Sequence, residues 1–123
     1  MLKKILHTGL AVNDLEGMIK LYESLGFEVI KRFHKSDINA DVVMVTKGET
    51  TFELFEFHDQ DHPQVEFIRN HVAIYSDSIE EDVNALLKQG YRLTIPITEG
   101  VVFRFAFLQD KAGANYEIAT EKT

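Results

Sequence analysis

The chain has 123 residues, and 20 acidic side chains against 13 Lys and Arg leave it a net charge of −7. That is the size of one folded domain and the wrong sign for a non-specific nucleic-acid binder. Cysteine is absent, so disulfides and thiolate metal sites are excluded, and any transition-metal site must use imidazole and carboxylate.

The first residues, 2–12, read as a strand. Lys3 and Lys4 precede Ile5 and Leu6 in the manner of a leader peptide, but His7 interrupts the apolar run, which ends at Asn13–Asp14. No segment approaches the ~18 apolar residues that a membrane span needs. A soluble, cytoplasmic protein without membrane partners is expected. Asn13 followed by Glu16 has the form of a capping box, and Leu15, Met18, Ile19, Tyr22 and Leu25 then recur at helical spacing as a buried face. Gly26 stands where a left-handed C-terminal cap is wanted. Strands are predicted over 27–33, 41–46 and 51–57, with 34–40 as a loop that includes His34. Lys47-Gly48-Glu49 is the turn before the last of them. Residues 58–65 form a polar connection around Pro63. His58 and His62 lie there with Asp59 and Asp61, a solvated cluster rather than an expected metal site.

The second half repeats this order. A strand is predicted over 67–75, then a helix with Asp77 and Glu80 as its capping pair and Ile79, Val83, Leu86 and Leu87 as its buried face. Gly90 closes that helix, and strands follow over 91–95, 101–108 and 115–119, with 97–100 as a loop. A shift of 64 positions superposes the two halves: His7 on His71, Glu16 on Glu80, Gly26 on Gly90, Phe27 on Tyr91 and Glu53 on Glu117. Repeats of this kind organise a fold more strongly than any single motif. The expected architecture is α+β, two tandem βαβββ modules in one domain over 1–123, the first module about 1–60 and the second about 65–123.

One strand-borne His and one strand-borne Glu recur in each module at the same spacing, 7 to 53 and 71 to 117. Packing of the modules about a pseudo-twofold axis would let His7, Glu53, His71 and Glu117 converge. Two imidazoles and two carboxylates suit a divalent transition ion with water in the open positions. Side chains alternate along a strand, so His7 shares a face with Gly9 and Ala11, Glu53 with Phe55 and Phe57, His71 with Ala73 and Tyr75, and Glu117 with Ala119. A carboxylate on such an apolar face is costly unless it is paired or metal-bound. Glu56 falls on the opposite parity, where it is expected to reach solvent at a strand end, and Arg104 is given no role.

The runs His7–Leu15 (HTGLAVNDL), Tyr22–Phe27 (YESLGF), Phe52-Glu53-Leu54, His71–Ile74 (HVAI) and Phe107–Glu117 (FLQDKAGANYE) resemble the vicinal oxygen chelate superfamily, the glyoxalase/bleomycin resistance/extradiol dioxygenase group. The resemblance covers essentially the whole chain. It implies two βαβββ modules curled around a metal, with His7, Glu53, His71 and Glu117 as ligands of a divalent ion (Ni, Co, Zn, Mn or Fe). Drug-sequestering members typically lack these ligands and dioxygenases typically use three, so a fourth ligand, here a carboxylate, points toward glyoxalase I-like or epimerase-like chemistry. The implied mechanism chelates substrate oxygens, acidifies a neighbouring C–H, and moves the proton on a carboxylate through an enediolate. Glu117 is the leading base and Glu53 the second. A small-molecule substrate and a homodimer are also implied, with the site built within one chain or shared between two.

The sequence departs from glyoxalase I in its substrate contacts. Ala11 stands where that branch places an Arg, and Phe55 and Phe57 stand where it offers polar side chains, so glutathione is not the expected substrate handle. Phe105 and Phe107 join Phe55, Phe57, Tyr75 and Ala11 as the expected pocket, which suits a compact, partly apolar substrate. The alternatives are a methylmalonyl-CoA epimerase-like enzyme, an extradiol dioxygenase, and a non-catalytic protein that binds a small molecule. Phe107-Leu-Gln-Asp-Lys111 is similar to epimerase sequences.

Overall fold

The computed structural model describes residues 2–122. The chain runs β1 (Leu2–Ala11), α1 (Leu15–Ser24), β2 (Glu28–Lys35), β3 (Ala40–Lys47), β4 (Thr50–Phe57), α2 (Val65–Ile68), β5 (Asn70–Ser76), α3 (Ile79–Lys88), β6 (Arg92–Glu99), β7 (Phe103–Gln109) and β8 (Asn115–Glu121). It forms two compact units, residues 7–70 and residues 2–6 with 71–122. The expected βαβββ order appears twice, with the single-turn helix α2 added in the connection.

In the first unit the strand order is β2-β3-β4-β1. β2, β3 and β4 are antiparallel neighbours, and β1 closes the set in parallel with β4, Gly9 opposite Glu53. The helix α1 covers one face. Leu15 and Ile19 on α1 pack against Val43, Val45 and Leu54 of the strands, flanked by Leu10, Met18, Tyr22, Phe27 and Phe52. Full burial of a side chain such as Leu54 contributes about 1.5–3 kcal/mol. Leu25, assigned to this buried face from the sequence, is instead 52% exposed, because it stands past the last helical residue as the C-cap and the helical periodicity no longer directs it. Gly26 takes φ 94° there, a conformation that glycine adopts without a Cβ penalty. Lys47 donates to the Leu25 carbonyl at 2.7 Å, satisfying an acceptor the helix leaves open.

The second unit repeats the plan as β5-β8-β7-β6, with β5 parallel to β8, Ala73 opposite Glu117, and the remaining pairs antiparallel. Its core joins Ile79 and Val83 of α3 to Ala106, Leu108 and Ile118, flanked by Leu2, Ile74 and Leu86. Gly90 has φ 95° at the helix end.

Several boundaries differ from the sequence reading. The α1 cap is Asp14, not Asn13: Asp14 Oδ1 accepts from Gly17 N–H at 3.0 Å, the side-chain-to-N3 bond that defines a good cap. The α3 cap is Ser78, not Asp77, and it makes no side-chain cap bond. Ser76 Oγ accepts from Ser78 N–H at 3.0 Å and donates to Asp82 at 2.5 Å instead. Phe67 and Ile68 belong to α2 rather than to the strand that follows. Residues 97–99 extend β6, and His34 lies in β2 opposite Asp41. Only four residues join β2 to β3, and Asn39 with φ 49° makes so short a link possible.

Candidate metal centre

The parallel pairing of β1 with β4 sets the first pair of candidate ligands. Gly9 is opposite Glu53, so His7, two residues earlier on the same face of β1, reaches the Glu53 carboxylate. His7 Nε2 lies 3.3 Å from Glu53 Oε1. His7 is 2% exposed and Glu53 5%. Leu54, next in sequence, packs under α1 on the opposite face, so strand alternation keeps Glu53 on the face away from the helix.

The second unit makes the same arrangement from the same atoms. Ala73 is opposite Glu117, and His71 Nε2 lies 3.0 Å from Glu117 Oε1. Both side chains are buried. The Phe107 ring, reaching across β8 from β7, meets the His71 ring edge-on at 4.9 Å.

A buried imidazole facing a buried carboxylate is stable when a proton or a cation joins the two. Two donors sharing one ion through bonds of about 2.0–2.2 Å stand roughly 3.0–3.4 Å apart, which is the spacing in both pairs. Each of the four side chains is buried and offers an atom that can bind a metal ion. The donor set of Nε2 nitrogens and carboxylate oxygens fits a divalent transition ion.

The aromatic candidates follow the parity read from the sequence. Phe55 and Phe57 share the Glu53 face of β4 and stack at 5.5 Å with nearly parallel planes. Phe107 is opposite Glu117 and Phe105 opposite Ala119, and the two rings meet edge-on at 5.7 Å. All four rings are buried, whereas Ala11 and Tyr75 are half-buried.

The structure assigns work to residues that the sequence left idle. Glu56 does not simply reach solvent: its Oε1 accepts from the Leu15 N–H at 3.0 Å, at the open start of α1. Arg104 pairs with Glu80 at 2.5 Å and Glu99 at 2.9 Å. His58 leaves the polar connection and bonds Asp41, which also holds His34. In the connection, His62 Nδ1 accepts from the Gln64 N–H and Asp59 Oδ1 from the Asp61 N–H. The spacing of the sequence could not show the contacts of Glu56, Arg104 and His58, because they join residues that only strand register and helix packing bring together.

The comparisons with known proteins agree with this architecture. The family model of the Glyoxalase/Bleomycin resistance protein/Dioxygenase superfamily matches residues 4–118. The chain belongs to this superfamily. Its fold is the vicinal oxygen chelate fold. A solved methylmalonyl-CoA epimerase in complex with methylmalonyl-CoA and NH4+ superposes with TM-score 0.85 at 21% identity, over 100% of this chain and 97% of that one. The methylmalonyl-CoA epimerase of Mycobacterium tuberculosis gives 0.84 at 18% identity, over 99% and 90%. A hypothetical protein of Bacillus halodurans C-125 gives 0.80 at 23% identity, over 98% and 95%. At these identities the structures share the fold. No curated protein matches the chain. Among the described residues no helix is long and apolar enough to cross a membrane.

Proposed function

We propose that His7, Glu53, His71 and Glu117 together hold one divalent transition-metal ion, and that the protein is a metal-dependent superfamily enzyme of the lyase or isomerase type. The observation that carries this reading is the recurrence of a buried His Nε2–Glu Oε1 pair in both units, at 3.3 and 3.0 Å. When bound, the ion supplies a Lewis acid that polarises substrate oxygens and acidifies the adjacent C–H. Glu117 then takes that proton as the general base, and Glu53 is the second carboxylate able to return one. His7 and His71 would each offer Nε2 to the ion, beside the carboxylate of the same unit. Phe55, Phe57, Phe105 and Phe107 line the pocket with Ala11 and Tyr75, exclude water, and favour a compact, partly apolar substrate. The same reading gives a cytoplasmic homodimer.

A second reading is proton transfer beside a thioester carbonyl, as an epimerase requires. The likeness of fold to the epimerases over the full chain and the segment Phe107–Lys111 favour it. Protein purified without chelator is expected to contain Ni, Co, Zn, Mn or Fe, and to lose about one equivalent per chain in the His7→Ala/Glu117→Ala variant. Hemithioacetals, 2-methylacyl-CoA esters and catechols should be screened, together with exchange of the α-proton in D2O. Glu117→Gln is expected to lower turnover by about 10²–10⁴-fold. Full metal content in the double variant would overturn the site. Catechol cleavage would point to a dioxygenase, and no turnover at any metal loading to a binding protein.

A further inference from the structure

A second group of potential ligands lies in the first unit, on the face of the strands that carries α1. Asp41 is opposite His34 on one side and Glu56 on the other. His58 follows Glu56 by two residues and so falls on the same face. Beside this row opens a cleft of about 440 Å³, whose lining includes Asp14, Glu16, Arg32, Asp41 and Glu56.

Most of the polar groups there are already engaged. Asp14 caps α1 through Gly17 N–H. Glu16 takes both contacts of Arg32, each 2.7 Å. Glu56 uses Oε1 for Leu15 N–H. Asp41 and Glu56 have no Lys or Arg partner among the described residues. Asp41 faces two imidazoles instead: Oδ1 is 2.9 Å from His34 Nδ1, and Oδ2 is 2.8 Å from His58 Nε2.

The second unit shows how an equivalent row is neutralised. Strand register there sets Glu99 opposite Arg104 and Arg104 opposite Thr120, in the places of His34, Asp41 and Glu56. Arg104 supplies a built-in cation and binds Glu80 and Glu99. In the first unit the central position is a carboxylate, and a second carboxylate and an imidazole converge on it. Donor atoms of Asp41, Glu56 and His58 all lie within 4.8 Å of one another.

We propose that Asp41, Glu56 and His58 bind a divalent transition ion on the outer face of the first unit, with His34 as the positioning residue for Asp41. One imidazole nitrogen and two carboxylate oxygens suit an ion of the Zn²⁺ class, with water completing its coordination. His34 holds the other Asp41 oxygen and so orients the carboxylate, as hydrogen-bonded partners of metal ligands do. The site ties β3 and β4 to the start of α1. It is independent of the four buried ligands.

The test is a Zn²⁺ titration of the full chain, read by calorimetry and by the ¹⁵N signals of the imidazoles. The wild-type His58 Nε2 signal is expected to shift on saturation, and to do so equally in the His71→Ala variant. His58→Ala should weaken this binding at least tenfold. His34→Ala should weaken it about tenfold, and His34→Gln, which keeps a donor for Asp41, should recover most of that loss. The proposal fails if the His58 signal of the wild type does not move at saturating Zn²⁺, a result that needs no folded variant. It fails equally if a folded His58→Ala protein binds the same number of ions with the same affinity.

Discussion

The two modules agree in their His–Glu pairs and in the core beneath each helix, and differ in the helix starts and in the outer rows of their strands. His7–Glu53 and His71–Glu117 use the same atoms. Gly26 and Gly90 close the helices in the same conformation. Against that, α1 starts on a side-chain cap and α3 does not, and the outer row is acidic with imidazoles in one module and centred on Arg104 in the other. The inner positions of both modules therefore meet one shared demand. The outer positions are each solved locally, and that is where differences of function between the modules are to be sought.

The largest effect expected from this comparison lies in the cores. Leu54 and Ile118 are fully buried and stand 64 positions apart, each beneath its own helix. Truncation at either leaves a cavity as well as lost burial. Leu54→Ala and Ile118→Ala should each cost about 2–5 kcal/mol in urea unfolding. A loss below about 1 kcal/mol at only one site would show that the modules do not share a packing plan.

A smaller effect separates the helix starts. Asp14→Ala removes the bond to Gly17 N–H and should cost about 1 kcal/mol. Ser78→Ala removes no side-chain cap bond and should leave stability nearly unchanged. Equal losses at the two positions would mean that the difference between the caps carries no energy.

The inner plan was legible in the sequence because it is periodic. A ligand that must share a face with its neighbours and recur in a second copy leaves a fixed offset, and the His-to-Glu spacing displayed it. Leu25 and the cap positions were misplaced because periodicity does not mark where a helix stops, whereas a single φ or a single hydrogen bond does. The outer row was not legible at all. His34, Asp41 and Glu56 become neighbours only through antiparallel register, which the four-residue link closed at Asn39 sets for the first pair and the turn between β3 and β4 for the second. Arg104 stayed without a role for the same reason, since its partners Glu80 and Glu99 come from a helix and a neighbouring strand.

The smallest effect is electrostatic and lies in the outer rows. Hydrogen bonds from His34 and then His58 hold the Asp41 carboxyl below its ordinary value of 3.8. The bond from Arg104 holds Glu80 below 4.5. In both cases the folded protein binds the proton less readily than the unfolded chain does. Each contribution to stability is therefore whole above the ordinary value and fades as pH falls through the lowered one. Both groups are exposed, so solvent screening keeps each effect small. Asp41→Asn and Glu80→Gln should therefore each lower the thermal unfolding midpoint slightly near neutral pH, and both losses should vanish as pH falls below the lowered values, where the wild type carries a proton on the same carboxyl. Thermal unfolding of the two variants beside the wild type, at neutral and at acid pH, measures this. A loss in Asp41→Asn that is the same at both would show that the hydrogen bonds from His34 and His58 do not hold its carboxyl.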